Sequence, residues 1–564
     1  MYKQSAKHTI LLLTIPTLLL SAPDAGSILN NIQTDTKKQS EQYKKPAIVD
    51  KNRSKEENAT QIPSSKINVN RFEVSGVTIL NSKELGAFLN KNSGKQMTFD
   101  EIDKVVLSVT EYYKQRGFLA SAFLPPQSVK DGIIQIGVIE GILSDIEVTS
   151  QNNSRVDTNF VKSILASSHK IGKPFEFNKV EKALLILQDM PGISQSSSLS
   201  AGQTQGDTKL NVNVSDTALL DSMINYTNNG SKSTGEHQLT ANANINNPGG
   251  KGDQLSITAM GSEGVVYART SYTSFVGYSG LRMGLNASAM RYYLVGDTFA
   301  TLKSKGTATT AGITSSYPIS KSQQGSLTLN SSIDFKRYVN MANESVTSHK
   351  KITSANIGVS ASRYDENAVT YANILLTTGR AGLRENISDF DNDASTANTE
   401  GSYSKLNLSL QRQQLLIQDL ALTATFQAQI ANKNLDSSEK MYLGGMYAVR
   451  AYPTNEAGGD MGWLASIGVK YSITQKWNVT PFLDSGRILQ HHSVWSGANN
   501  GSPNSYNLYG TGIELGYVDD TAKLYAKLTA SCRLGDNPAK TSGGDDNDGT
   551  KYNPRIWASL SKSF

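Results

Sequence analysis

The chain has 564 residues, more than one ordinary domain holds, and its length suggests roughly three or four compact units. Hydrophobic residues make up 38%, glycines number 46 and tyrosines 24, and the formal charge of +6 is spread without long basic runs, so neither a nucleic acid nor an acidic substrate is indicated. Cys532 is the single cysteine, which excludes an intrachain disulfide and a cysteine-based zinc site.

Lys3 and Lys7, the apolar run Ile10 to Leu20 and the small residues from Ser21 to Ala25 have the build of a secretory signal peptide, so residues 1–25 are expected to be an export leader. That run is about half the ~20 residues a helix needs to cross a bilayer. No later stretch reaches 18 consecutive apolar residues, so any membrane span has to be built from strands. Ile28, Leu29 and Ile32 share one face of a possible amphipathic helix over residues 26–45. Residues 46–66, rich in charge and poor in large apolar side chains, read as a flexible linker, with a simply disordered N-terminus as the rival reading.

Between Ile67 and Asp216 the pattern is compact α+β. Phe72, Val74 and Val77 suggest a strand, Phe99 to Tyr113 has helical spacing with Asp100 and Glu101 in its first turn, and Ile133 to Ile139 alternates. The order then recurs: Ile146 and Val148 alternate, Val161 to Leu165 and Val180 to Leu187 look helical, and Leu210, Val212 and Val214 alternate again. Two similar modules of about 75 residues, 67–144 and 145–217, are the natural reading.

Over residues 218–564 helical periodicity gives way to alternation. Leu281, Met283, Leu285, Ala287 and Ala289 share one face, with Arg282, Gly284, Asn286 and Ser288 on the other. Leu420 to Ala428 and Ile556 to Leu560 repeat the dyad. This is the pattern of strands with lipid on one side. No fixed short repeat supports a soluble solenoid. At ~10 residues per strand plus loops, the length suits a closed antiparallel transmembrane β-barrel of about 16 strands in a Gram-negative outer membrane, following periplasmic α+β domains. Phe564, a terminal aromatic on the last strand, fits a signal read by the cell's barrel-assembly machinery.

Several catalytic look-alikes carry no weight. Gly510, Gly512 and Gly516 lack phosphate-loop spacing and read as strand glycines; His491 and His492, if on a strand, point to opposite faces and read as exposed rather than metal-binding. No serine, histidine and aspartate arrangement stands out. Neither catalytic residue, metal nor cofactor is expected.

Other motifs resemble a family. Tyr112-Tyr113-Lys114-Gln115-Arg116-Gly117-Phe118, Leu124-Pro125-Pro126-Gln127, Asp131-Gly132 and Val138 to Gly141 closely resemble the first polypeptide-transport-associated domain of two-partner secretion transporters, the exporters of haemolysins and filamentous haemagglutinins. Leu187 to Ile193 resembles their second such domain, and Asn228-Asn229-Gly230 with Asn247 to Asp253 their first barrel hairpins. Val449-Arg450-Ala451-Tyr452-Pro453, within Leu435 to Trp463, resembles their inward-folded loop, and Pro481 to Gly486 the partner motif on the wall. Ala451 departs from the family, which usually has glycine there, so a glycine-only backbone angle at that position would demand a different local geometry.

The resemblance implies an outer-membrane translocator that recognises the N-terminal secretion domain of one large exoprotein and exports it without ATP, not an enzyme, with lipid and the assembly machinery as further partners. A guanidinium in a barrel is costly unless paired, so Arg450 with Asp484 is expected to tether the loop tip. The helix over 26–45 resembles the family's pore plug. Candidate exoprotein-recognition residues are Tyr113, Arg116, Gly117, Phe118, Pro125, Pro126 and Gln127, beside an edge strand open to β-augmentation. The competing functions are an insertase for other barrels, a passive pore and a surface adhesin.

Overall fold

The computed structural model describes residues 23–42, 66–296, 301–499, 503–541 and 543–564. Nearly all of the expected leader and of the 46–66 linker lies outside these residues. Helix α1 (Ala25–Gln42) begins at Ala25, inside the segment assigned to the leader.

The first small unit runs β1 (Ile67–Val69), β2 (Arg71–Ser75), α2 (Ser82–Asn90), β3 (Lys95–Met97), α3 (Phe99–Gln115), β4 (Ala120–Phe123) and β5 (Ile133–Glu140). The second runs β6 (Ile142–Ser150), α4 (Thr158–Ser168), α5 (Phe177–Gln188), β7 (Ile193–Ala201) and β8 (Asp207–Asp216). Their sheets are ordered β2-β5-β4 and β6-β8-β7, with the first pair parallel and the second antiparallel in each, so the internal repeat is one topology used twice. Thr98 and Glu101 form a capping box at the start of α3, satisfying amide hydrogens that the first turn leaves unpaired. The apolar stripe Ile102, Val105, Val106, Val109 and Tyr113 then packs against Ile134, Ile136 and Val138.

The rest is one closed antiparallel barrel with outer-end excursions. Its strands are β9 (Leu220–Thr227), β10 (Gln238–Asn246), β11 (Gln254–Gly261), β12 (Val265–Phe275), β13 (Arg282–Tyr293), β14 (Lys305–Ser322), β15 (Gly325–Ala342), β16 (Ser345–Asp365) and β17 (Ala368–Gly382). Helix α6 (Ile387–Ser395) interrupts before β18 (Gly401–Ile417) and β19 (Leu420–Ala431). The short β20 (Met441–Tyr442) and β21 (Gly458–Gly459) pair inside the following loop. Then come β22 (Met461–Ser472), β23 (Trp477–Leu489), β24 (Ser505–Asp519), β25 (Leu524–Arg533) and β26 (Arg555–Ser563), giving 16 barrel strands in all. Leu239, Ile257, Leu285, Ile313, Ile333, Ile357, Leu376 and Ile467 stand exposed on the outside, so the dyad alternation puts an apolar band outward. The seam between β26 and β9 has five register pairs, Ser559↔Thr227 to Ser563↔Met223. Asn228 extends it, donating Nδ2 to Ile556 O (3.0 Å) and accepting from Ala558 N (2.7 Å).

The second unit docks on the barrel turns at one end. Lys182 Nζ donates to Ile319 O (3.2 Å), Ser167 Oγ to Tyr278 O (2.8 Å), and Asp189 pairs with Lys321.

Candidate functional site

The loop from β19 to β22, residues 432–460, starts at the barrel end away from the small domains and folds back inside. Leu443, Val449, Ala451, Tyr452 and Ala457 from the loop form one buried cluster with Leu464, Ile488, Tyr506 and Leu508 of the wall. Turning these side chains inward brings the loop tip against β22 to β26, which explains why a mostly polar segment carries this apolar run.

The tip is fixed by Arg450. Its Nη2 lies 2.7 Å from Asp484 Oδ1 and its Nε 2.9 Å from Oδ2, while its backbone N–H donates to Oδ2 at 3.0 Å. Ser466 Oγ sits between them, accepting from Nη2 (2.9 Å) and donating to Oδ1 (2.7 Å). The guanidinium carbon stacks 3.3 Å from the centroid of the Phe482 ring. Asp484 is 0% exposed. A planar fork matches a planar carboxylate, so this pair fixes orientation as well as distance. The Arg450 carbonyl accepts from Trp557 Nε1 (2.7 Å) and Ser531 Oγ (2.6 Å), so hydrogen bonds to β22, β23, β25 and β26 hold one residue. Tyr452 is fully buried under Arg533, and Pro453 is buried beside it.

Ala451 needs no glycine. Asn455 (φ 72) and Ala457 (φ 55) are the loop's left-handed non-glycine residues, and Ala451 is not among them. The room is on the wall instead: a Cβ on Gly510 would lie 2.9 Å from the Ala451 Cβ.

Sequence reasoning missed the loop's outer contacts. Glu456 accepts from Asn537 Nδ2 (3.0 Å) and Asn547 N (2.9 Å) in the loop between β25 and β26, whose Asp546 pairs with Arg533 and Arg555. Asn229, noted only as part of a hairpin motif, joins three segments. Its Oδ1 accepts from Met446 N (3.0 Å) and Thr454 Oγ1 (3.0 Å), and its Nδ2 donates to Asp35 of α1 (2.7 Å).

Helix α1 lies within the barrel. Ala25, Ile28, Leu29 and Ile32 pack against Tyr267, Met290, Tyr292 and Tyr338 of the wall and Leu435 of the loop. Beside it is a cavity of about 700 Å³, lined by Asn30 and Gln33 of α1 and by Asn330, Ser332, Asn356 and Thr377 of the wall. These wall side chains bond one another: Asn356 Nδ2 to Ser332 Oγ (2.9 Å), Thr377 Oγ1 to Asn356 Oδ1 (2.7 Å), and Asn330 and Asn373 Nδ2 both to Ser360 Oγ (2.9 and 2.8 Å).

In the first small domain the candidate recognition residues separate into kinds. Tyr113 is fully buried and donates to Glu140 Oε1 (2.7 Å), which corrects its assignment as a contact residue: its hydroxyl faces its own domain. Burial and that hydrogen bond push the Tyr113 hydroxyl well above its ordinary range. Burial also pushes Glu140 up, but hydrogen bonds from Thr78, Tyr113 and Ile79 outweigh it and hold the carboxyl below the usual range. Gly117 (φ 84) and Phe118 form the joint to the second domain, where Gly117 O accepts from Phe177 N (2.8 Å) and Phe118 bridges to Glu176. Gln127 exchanges two 2.8 Å bonds with the Gln135 backbone, occupying the edge of β5 beyond β4. Arg116, stacked 3.4 Å from the Tyr112 ring centroid, and Pro126 remain exposed, Pro125 is half-buried, and β4 is an edge strand.

His491 and His492 follow β23 in a loop rather than sharing a strand, and the described residues contain no cluster of three metal-ligating side chains. Phe564 is exposed, its N–H donating to Ser222 O (2.9 Å) on β9.

Residues 206–515 match the family described as haemolysin secretion/activation protein ShlB/FhaC/HecB, and residues 67–141 match the POTRA domain of ShlB type. The chain is 27% identical over 419 residues to the heme/hemopexin transporter protein HuxB of Haemophilus influenzae (strain 86-028NP), over 72% of this chain and 73% of that protein. It is 22% identical over 548 residues to the hemolysin transporter protein HpmB of Proteus mirabilis, over 87% and 91% respectively. The solved structure of CdiB from Escherichia coli shares the fold, with a TM-score of 0.71 at 18% identity over 96% of this chain and 99% of that one.

Proposed function

The chain belongs to the ShlB/FhaC/HecB family of haemolysin secretion and activation proteins, outer-membrane transporters of exoproteins, and from that premise we propose that it passes one large exoprotein of haemolysin or adhesin type through its barrel without ATP. The observation that supports this best is the buried Arg450–Asp484 pair, which holds a folded loop across a lumen already occupied by α1. A passive pore has no use for such a tether, whereas a regulated passage does.

The exoprotein carries an N-terminal two-partner secretion domain, met in the periplasm by the small domains as an extended chain. The first domain offers β4 as an edge, with Arg116, Pro125 and Pro126 beside it. Helix α1 is the plug, and cargo arrival shifts the population toward its exit. The periplasm lacks ATP, and a domain that folds outside cannot slip back, so folding supplies direction. Phe564 is the mark by which the assembly machinery inserts the barrel. The family consists of transporters, and we assign this chain no catalytic activity of its own.

The test is co-expression with a candidate large exoprotein that carries an N-terminal two-partner secretion domain, assaying the medium. Wild type is expected to release the exoprotein. Arg450→Ala is expected to leave the barrel inserted and release none, and normal export by that variant would overturn the tether's role.

A further inference from the structure

The root of the in-pore loop carries an ion cluster that lies outside the Arg450 tether. Residues Ser437–Glu439 form a single 3-10 turn. The Glu439 side chain is 3% exposed, with Oε1 2.6 Å from Lys336 Nζ on β15 and Oε2 2.8 Å from Lys405 Nζ on β18. Its carbonyl oxygen accepts from Lys405 Nζ (2.8 Å) and from Gln429 Nε2 on β19 (3.0 Å). Three residues earlier, Asp436 pairs with Lys350 of β16 at 2.7 Å.

We infer that Glu439 is a second positioning residue for secretion, fixing the root of the loop to the β15 and β18 wall so that the loop spans the lumen between two anchors. Around the ring β15 is the seventh strand and β23 the thirteenth, so the Lys336 contact and the Asp484 contact stand six strands apart. Two ammonium groups directed inward from a barrel wall are costly without a counter-charge, and a loop that carries that charge is held where the charge is needed.

The anchored turn is also the seat of α1. Gly26 lies so close to the turn that a Cβ there would be 2.9 Å from the Ser438 Cβ, and Asn30 Nδ2 donates to the carbonyl of Lys440 (3.1 Å), the residue that follows the turn. A loop released at its root therefore releases the helix. This inference rests on the secretion reading for its biological role, while its physical content concerns only loop and helix.

The full-length protein with Glu439→Gln is compared with wild type, Glu439→Asp and the triple variant Glu439→Gln/Lys336→Met/Lys405→Met. Three readouts are taken: heat-modifiable barrel in the outer membrane, conductance in planar bilayers, and exoprotein in the medium. Glu439→Gln is expected to insert normally, to open at least several-fold more often, and to secrete at least tenfold less. Glu439→Asp, which keeps the charge, is expected to recover most of both functions. Wild-type conductance and secretion in Glu439→Gln overturn the inference. If Glu439→Gln does not accumulate, the triple variant Glu439→Gln/Lys336→Met/Lys405→Met, which removes the three buried charges together and orphans none, decides by the same two readouts, and a wild-type result from it likewise overturns the inference. A wild-type protein that exports no exoprotein would sink the secretion reading alone, because the conductance comparison needs no cargo.

Discussion

Arg450 makes two side-chain bonds to one carboxylate, a fork that a lysine cannot reproduce, and a third through its backbone that a lysine would keep. Arg450→Lys is therefore expected to lose about 1.5–3 kcal/mol of loop anchoring and to reduce exoprotein in the medium tenfold or more. Ala451→Gly, by contrast, is expected to secrete within about twofold of wild type, since no left-handed angle is needed at that position and Gly510 already supplies the space. Glu140 gives a pH-dependent case. Its carboxyl is held below the usual range, so its stabilisation is present above the ordinary glutamate pKa of about 4.3 and lost as pH falls through the depressed value. Glu140→Gln is expected to weaken the first domain by about 1 kcal/mol at pH 7 and to flatten its loss of protease resistance between pH 5 and 3, measured in the full chain. The Arg450–Asp484 pair was legible in the sequence because each partner sits in a motif with its own signal. Glu439 was not: its lysines lie 103 and 34 residues away in strands whose alternation marks a face but names no partner. Tyr113 misled for the opposite reason, since a motif tyrosine looks the same whether it meets cargo or closes a core.

Among the elements, those with strong periodicity were readable and those made by their neighbours were not. Helix α3 carries a capping box and an apolar stripe, and β5 alternates, so both could be read directly. Strand β7, with the sequence ISQSSSLSA, has no apolar alternation; it becomes a strand by pairing with β8 at nine positions. Its outer edge faces solvent, which removes the need for a buried face. Helix α6 is nine residues of mostly polar chain in a barrel loop, held by Asn386 at its start and invisible to a search for apolar spacing. Helix α1 was legible through Ile28, Leu29 and Ile32, whose stripe faces Tyr267, Met290 and Tyr292 across the lumen. Leu29→Asp puts a charge in that contact, and the expected outcome is a helix that leaves its seat, with more frequent channel opening in bilayers and unchanged barrel assembly. An unaltered conductance trace would show that the stripe does not hold the helix.

At the scale of the molecule, closure of the barrel was the safest expectation, because lipid offers no partner for a free strand edge. How it closes was not readable, since register across the chain's two ends leaves no trace in local pattern. Five register pairs, the Phe564 amide on Ser222, the Asn225–Ser561 bond and Asn228 join β26 to β9, and Asn228→Ala is expected to lower the temperature at which the folded, heat-modifiable form is lost, corresponding to about 1–2 kcal/mol. The lumen has its own consequence. Beside α1 the wall carries a lattice of amides and hydroxyls that already satisfy one another, as Asn356 does with Ser332 and Thr377. An extended polypeptide sliding past such a surface exchanges one hydrogen bond for another of similar strength at every step, so it meets neither a dry barrier nor a deep well. For an exported chain such a wall is expected to act as a bearing, with low friction and no grip on any particular sequence.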